Sequence, residues 1–196
     1  MCGRYHLEDE LIEYFSKRAD RVEEELKKKE YNRDIYPSYK APIIYKKDKK
    51  IVLGIKTWGY PGFKGKGLLI NARCESVTNK RIFHNGISHN RIIVPASSYY
   101  EWNAAKEKVE ILGKDGKPIF IAGFYDNFDG EDKFVILTTG ANDSVKNVHH
   151  RMPLILDSKH IVKWLDDENW MTYLSYTPEE LKHTQKIEQQ SMLFLD

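Results

Sequence analysis

Between residues 43 and 139 the chain is a succession of short runs rich in β-branched and aromatic residues, cut by turn signals. That pattern constrains the fold more than any other feature. Ile43–Lys46, Ile51–Trp58, Leu68–Ala72, Arg91–Pro95, Ser98–Trp102, Lys108–Leu112, Ile119–Tyr125 and Phe134–Thr139 each read as a strand. Asp115-Gly116 and Asp129-Gly130 supply residue pairs suited to the left-handed φ of tight hairpins. Residues 8–30 read as a helix, with Leu11, Phe15, Val22 and Leu26 near one face and the run Glu23–Glu30 as its solvated end. Two helices are expected to close the chain. One follows Asp157 and carries Ile161, Val162, Trp164 and Leu165; the other starts at the capping box Thr177-Pro178-Glu179-Glu180. The expected fold is α+β, a largely antiparallel sheet curled into a barrel and flanked by helices.

The length of 196 residues suits a single domain spanning 1–196. A formal net charge of +2 excludes a polycation that coats nucleic acid by charge alone, and leaves room for a local basic groove. Cys2 and Cys74 are too few for a disulfide framework, which points to a reducing compartment. No apolar run approaches the ~20 residues of a membrane span, and the first residues lack an apolar signal core. A cytoplasmic monomer without a membrane partner is the expectation, with the nucleus as the alternative in a eukaryote. The Lys-rich stretches at 27–29 and 46–50 read as solvated faces.

The start, Met1-Cys2-Gly3-Arg4-Tyr5, carries the strongest chemical signal. Trimming of Met1 would leave Cys2 with a free α-amine and a thiol on adjacent carbons. An α-amine titrates near ~7.7–8.0, against ~10.4 for lysine, so part of it is neutral and nucleophilic at neutral pH. Such an amine adds to an aldehyde to give a Schiff base, and the thiol closes a five-membered thiazolidine. The same residue also serves as a thiol nucleophile with its own amine as base.

Three internal constellations join it. In Asn71-Ala72-Arg73-Cys74-Glu75, Asn71 suits a sugar or phosphate and Arg73 a phosphate fork, or else Arg73 pairs with Glu75 at the surface. In Ser98-Tyr99-Tyr100-Glu101-Trp102 a carboxylate lies between large aromatics, a setting that suits proton transfer, or it faces water while Trp102 fills the core. In His149-His150-Arg151-Met152-Pro153 a histidine that titrates near neutrality sits beside an anion ligand. Adjacent histidines do not readily chelate one ion from a strand, and Cys2, Cys74, His84 and His89 show no ligand spacing, so neither a metal nor a cofactor is expected.

Taken in order, these segments, with Trp58-Gly59 and Pro61, Pro95-Ala96, Ile121-Ala122-Gly123-Phe124 and Leu137-Thr138-Thr139, resemble the SOS-response-associated peptidase (SRAP) family of abasic-site processing proteins, from Cys2 to about Leu156. The resemblance implies the SRAP fold and single-stranded DNA carrying abasic sites as partner. It implies a covalent thiazolidine crosslink from Cys2 to C1′ of the ring-opened sugar, shielding the strand from cleavage. It gives Asn71 the placing of the sugar, Glu101 the protons near the amine and sugar hydroxyl, and His149 the ring opening and Schiff-base chemistry. It puts Arg4, Arg73, Arg81, Arg151 and Thr139 in the DNA groove, and Trp58 and Trp102 against bases. It also implies lyase-like and thiol autopeptidase activity, the latter exposing Cys2 by removal of Met1. Cys74 and Ser98 stand where the family usually has Ala and Gly. Two other classes stay open on the residues alone: an N-terminal-nucleophile amidohydrolase of glutaminase type, and a non-catalytic reader of modified or single-stranded DNA.

Overall fold

A computed structural model describes residues 2–26, 31–166 and 168–184. The chain opens with strand β1 (Tyr5–Leu7), helix α1 (Asp9–Ser16) and the short strands β2 (Arg21–Val22) and β3 (Arg33–Ile35). Next come the long pair β4 (Lys40–Lys47) and β5 (Lys50–Trp58), then β6 (Tyr60–Pro61), β7 (Leu68–Leu69), β8 (Asn71–Arg73) and helix α2 (Arg81–His89). Strands β9 (Arg91–Ala96), β10 (Ser98–Trp102), β11 (Lys108–Leu112), β12 (Ile119–Phe128) and β13 (Glu131–Gly140) follow. The described part ends with β14 (Arg151–Pro153), β15 (Ile155–Leu156), helix α3 (Ile161–Leu165) and β16 (Lys182–Thr184).

Strands β13, β12, β9, β4 and β5 pair in that order, and a parallel contact between β5 and β13 (Lys133↔Thr57, Phe134↔Trp58) closes the ring into a five-stranded barrel. The other pairings within the ring are antiparallel. Strands buried on both faces need near-continuous apolar runs, and all six residues of β9 and Phe134–Thr138 of β13 are buried accordingly. A second, wholly antiparallel sheet runs β16-β11-β10-β1-β3 and packs into the same core through Tyr5, Leu7, Tyr99, Val109 and Ile111. The α+β barrel read from the sequence is the observed architecture.

Four local expectations change. The helix expected over 8–30 stops at Ser16 because the next segment pairs with β5: Asp20 N–H donates to the Ile51 carbonyl and Glu23 N–H to the Leu53 carbonyl. Glu23 is therefore tied down rather than solvated, its carboxylate accepting from Ile55 N–H and the Tyr45 hydroxyl. Gly54 makes room, since a Cβ there would lie 2.6 Å from that carboxylate. Residues 27–30 lie outside the described residues.

The capping box at Thr177 starts no helix within the described residues. Asn142 Nδ2 donates to the carbonyls of Pro178 and Glu179, Leu181 N–H donates to Ser144 Oγ, and the chain enters β16 on the edge of β11.

Both Asp-Gly pairs adopt the left-handed turn, with φ of 58° and 71° at Asp115-Gly116 and 53° and 86° at Asp129-Gly130. Only the second joins a hairpin, pairing Phe128 with Glu131. At the first, β11 and β12 separate into different sheets.

Helix α2 was not legible, as Gly86 interrupts its apolar face. That glycine lets the helix touch the barrel, where a Cβ would lie 2.6 Å from the Phe124 ring and 2.7 Å from the Tyr60 hydroxyl.

Candidate active site and nucleic-acid interface

The second half of β13 gathers the site. On one edge β14 pairs with it (Thr138↔Pro153, Thr139↔Met152, Gly140↔Arg151); on the other lies β8 (Ile136↔Asn71, Leu137↔Ala72, Thr138↔Arg73). Asn71, Arg73, Thr139 and Arg151 thus share one end of the barrel. His149 joins them through its backbone neighbour: its Nδ1 lies 3.0 Å from Arg151 N–H and 3.1 Å from the Arg151 carbonyl. Whichever tautomer holds, Nδ1 is committed to the backbone, and Nε2 is the nitrogen turned to other partners. His150 stacks on the His149 ring at 4.4 Å.

Cys2 reaches this end from the other sheet. β1 pairs with β10 in the register Tyr5↔Tyr99, and Tyr100 N–H donates to the Arg4 carbonyl, which brings the N-terminal segment alongside Glu101. Asn71 Nδ2 donates to the Cys2 carbonyl at 3.0 Å, linking the Cys2 backbone to β8. Cys2 is wholly buried, and Glu101 is 2% exposed. Burial, then the nearby Glu101 carboxylate, pushes the Cys2 thiol up to about 12. Cys2, Asn71 and Glu101, far apart in sequence, therefore come together, with Cys2 and Glu101 buried and Asn71 half-buried.

The cations divide into two kinds. Arg4 is held by Asp34 through its Nε (2.8 Å) and Nη2, and lies over the rings of Tyr36 (4.9 Å) and Tyr100 (4.8 Å). His6 Nδ1 contacts the same carboxylate at 2.9 Å. Burial works to raise the Asp34 carboxyl, but the Arg4 and His6 bonds outweigh it and hold the group below the ordinary carboxylate range. Arg151 forks onto Glu75 and also donates to the Thr138 carbonyl at 2.7 Å. The Arg151 bond is the main cause of the lowered Glu75 carboxyl. Arg73 is therefore not the forked partner of Glu75; it and Arg81, the first residue of α2, are exposed.

The aromatics divide too. Trp102 is 43% exposed and suits a stacking surface. Trp58 departs from its expected place against a base: it is fully buried, its Nε1 donates to the Ile70 carbonyl at 3.0 Å, and its ring stacks on Phe134 at 6.2 Å. It fixes the backbone just before Asn71 instead. An aromatic the sequence reading passed over, Phe63, is 82% exposed on the β6–β7 turn between Gly62 and Lys64. Its signal was present, an aromatic inside the Gly62–Gly67 turn followed by Lys64 and Lys66. Cys74 is buried and serves as core packing, and Ser98 Oγ donates to Glu110 at 2.6 Å.

Comparison with known proteins adds a second line. The model of the SOS response associated peptidase (SRAP) family matches residues 1–191. The chain is 29% identical over 181 residues to the abasic site processing protein YedK of Escherichia coli, covering 86% of this chain and 81% of that protein. It is 30% identical over 188 residues to the abasic site processing protein YoaM of Bacillus subtilis, with coverage of 86% and 81%. In fold it is similar to a protein from Bacteroides thetaiotaomicron, at a TM-score of 0.76 and 23% identity over 93% of this chain and 90% of that one. A Bordetella bronchiseptica protein gives a TM-score of 0.75 at 22% identity, over 93% and 98%.

Proposed function

The chain belongs to the SOS response associated peptidase family, and on that premise we propose that it recognises abasic sites in single-stranded DNA and captures them covalently through Cys2. The names of its curated relatives support the substrate. The observation that carries the chemistry is the convergence of Cys2, Asn71 and Glu101 at the end of the barrel.

Removal of Met1, by the family's peptidase activity or by an aminopeptidase, frees the α-amine. The amine attacks the aldehyde carbon of the ring-opened sugar and, after loss of water, forms a protonated Schiff base. Glu101 carries one amine proton to the oxygen, making the hydroxyl, and then passes it a second proton drawn from water so that it leaves as water. His149, through Nε2, assists ring opening at the sugar oxygen. The Cys2 sulfur then adds to the imine carbon and closes the thiazolidine. The product has no protonated imine, so the β-elimination that breaks the strand has no electron sink. DNA repair, rather than hydrolysis for its own sake, is the resulting role.

Binding without sequence preference fits the groove's inventory. Arg73 and Arg81 meet phosphate directly, and Thr139 lines the same end of the barrel. Arg4 and Arg151 must exchange carboxylates for phosphate. Trp102 and Phe63 give bases a face to stack on, a contact open to every base.

The experiment mixes Met1-free protein with a single strand carrying one abasic site, denatures, and looks for a covalent band. Mass spectrometry then locates the DNA. An adduct on a chain starting at Cys2, lost in Cys2→Ala, is the expected result. Adducts of equal durability in Cys2→Ala would overturn the thiazolidine, and binding fully reversed by salt would leave only a reader of DNA.

A further inference from the structure

Two buried phenols lack acceptors on the sheet face that also carries Glu101. Tyr5 and Tyr99 face each other across the β1–β10 pairing, and neither is exposed to solvent. Among the described residues neither hydroxyl has a hydrogen-bond partner. A buried polar group left unpaired costs about 1–3 kcal/mol, and native cores hold few of them. Two on one cross-strand pair need a reason.

Strand alternation supplies the geometry. Residues two apart on β10 share a face, so Tyr99 and Glu101 point the same way, and both are buried. Across the pair Tyr5 points to that same face. The Cys2 side chain, also buried, interacts electrostatically with both phenols and with Glu101. Arg33 of β3 is the cation that acts on Tyr5.

We propose that the Tyr5 and Tyr99 hydroxyls donate to the Cys2 sulfur once it becomes a thiolate, and so hold the anion through ring closure. This rests on the thiazolidine reading above. The step balances: the S–H bond breaks and its proton passes to the Glu101 carboxylate. The freed sulfur pair forms the C–S bond while the C=N π pair moves onto the positively charged nitrogen, leaving a neutral secondary amine. Glu101 later loses the proton to water.

The need for donors follows from the pocket. A dry site beside a carboxylate disfavours a second negative charge. A hydrogen bond made only to the ionised form favours it. Donors already bonded elsewhere would have to break those bonds first; these two do not. The hydroxyl matters and the ring does not, so phenylalanine keeps the packing and removes the donor.

Tyr5→Phe, Tyr99→Phe and the double variant are compared with wild type on the same abasic single strand. Borohydride trapping counts the Schiff base; the denaturation-resistant adduct formed without borohydride counts ring closure. Rates are taken between about pH 6 and pH 9. Wild-type Schiff-base formation is expected in all three. Ring closure should slow about ten-fold in each single variant and about a hundred-fold in the double one, with the same deficit across this range, because the buried thiol titrates above it. Ring closure at the wild-type rate with an unchanged pH profile would overturn the proposal. So would a parallel loss of Schiff base and ring at every pH, which marks a packing role. A wild-type protein that traps no Schiff base sinks the underlying reading instead, and shows itself before any variant is compared.

Discussion

Asn71 Nδ2 donates to the Cys2 carbonyl oxygen at 3.0 Å, while Asn71 Oδ1 is buried with no hydrogen-bond partner among the described residues. One amide thus anchors the Cys2 backbone with its nitrogen and keeps an acceptor in reserve. A sugar hydroxyl is the group such an oxygen suits. Asn71→Ala removes both functions. Capture of an abasic strand is expected to fall about 10- to 100-fold, with a loss of folding stability of only about 1 kcal/mol, the usual net value of one hydrogen bond. Gel-based capture rates and thermal melting check the two numbers separately. A variant that melts like wild type and captures equally fast would remove Asn71 from the site.

Arg4 is held by Asp34, and under the proposed function a DNA phosphate competes with that carboxylate. Asp34→Asn weakens the hold without removing the side chain's bulk. Affinity for undamaged single strands is expected to rise several-fold at low salt. The slope of log affinity against log salt should steepen by about one counterion, because Arg4 then neutralises a phosphate it formerly met only part of the time. Fluorescence anisotropy at several salt concentrations measures both. An unchanged slope would mean that Arg4 stays on the protein.

The two tryptophans separate stability from binding. Trp58 is fully buried and hydrogen-bonded to the Ile70 carbonyl. Trp58→Ala should cost about 3–5 kcal/mol of folding stability, and any lost capture should follow the unfolded fraction. Trp102 is 43% exposed. Trp102→Ala should leave the melting temperature nearly unchanged and weaken single-strand binding by about 1–3 kcal/mol, the worth of one stacked base. Comparing melting with anisotropy for the two variants distinguishes the roles.

These cases mark how far the sequence was legible. The barrel strands showed because their apolar runs are long and bounded by turn residues, and Asp129-Gly130 even named its hairpin. The short pieces did not. β2 is two residues that pair with β5, and that pairing stopped a helix whose periodicity ran on to Leu26. Helix α2 hid behind Gly86, whose role is a close approach visible only in space. In the site, residue types were legible but partners were not. Glu75 pairs with Arg151, 76 residues away, rather than with neighbouring Arg73. Trp58 and Trp102 look alike in sequence, and only the closure of β5 on β13 buries one of them.

The buried thiols set an alkaline limit on the fold. Burial raises Cys2 and Cys74 from 9.0 to about 12, with Glu101 and Glu75 adding to the respective shifts. Below about pH 9 each thiol is protonated in both the folded and the unfolded chain, so its burial carries no charge penalty. As pH rises from 9 towards 12 the unfolded chain ionises first, and stability drains away until the folded thiols ionise too. Near pH 10.5 one such thiol accounts for about 2 kcal/mol of lost stability. Burial also holds tyrosines such as Tyr5 and Tyr99 well above the ordinary phenol range, so their ionisation in the unfolded chain steepens the fall in every variant alike. Cys74→Ala removes one thiol while leaving those tyrosines and Cys2 in place. Its melting temperature should start below wild type near neutrality, from the lost packing, and then fall less steeply between pH 8.5 and pH 10.5. Parallel curves would show that Cys74 ionises in the folded protein as easily as in the unfolded chain, and would remove it from the alkaline limit.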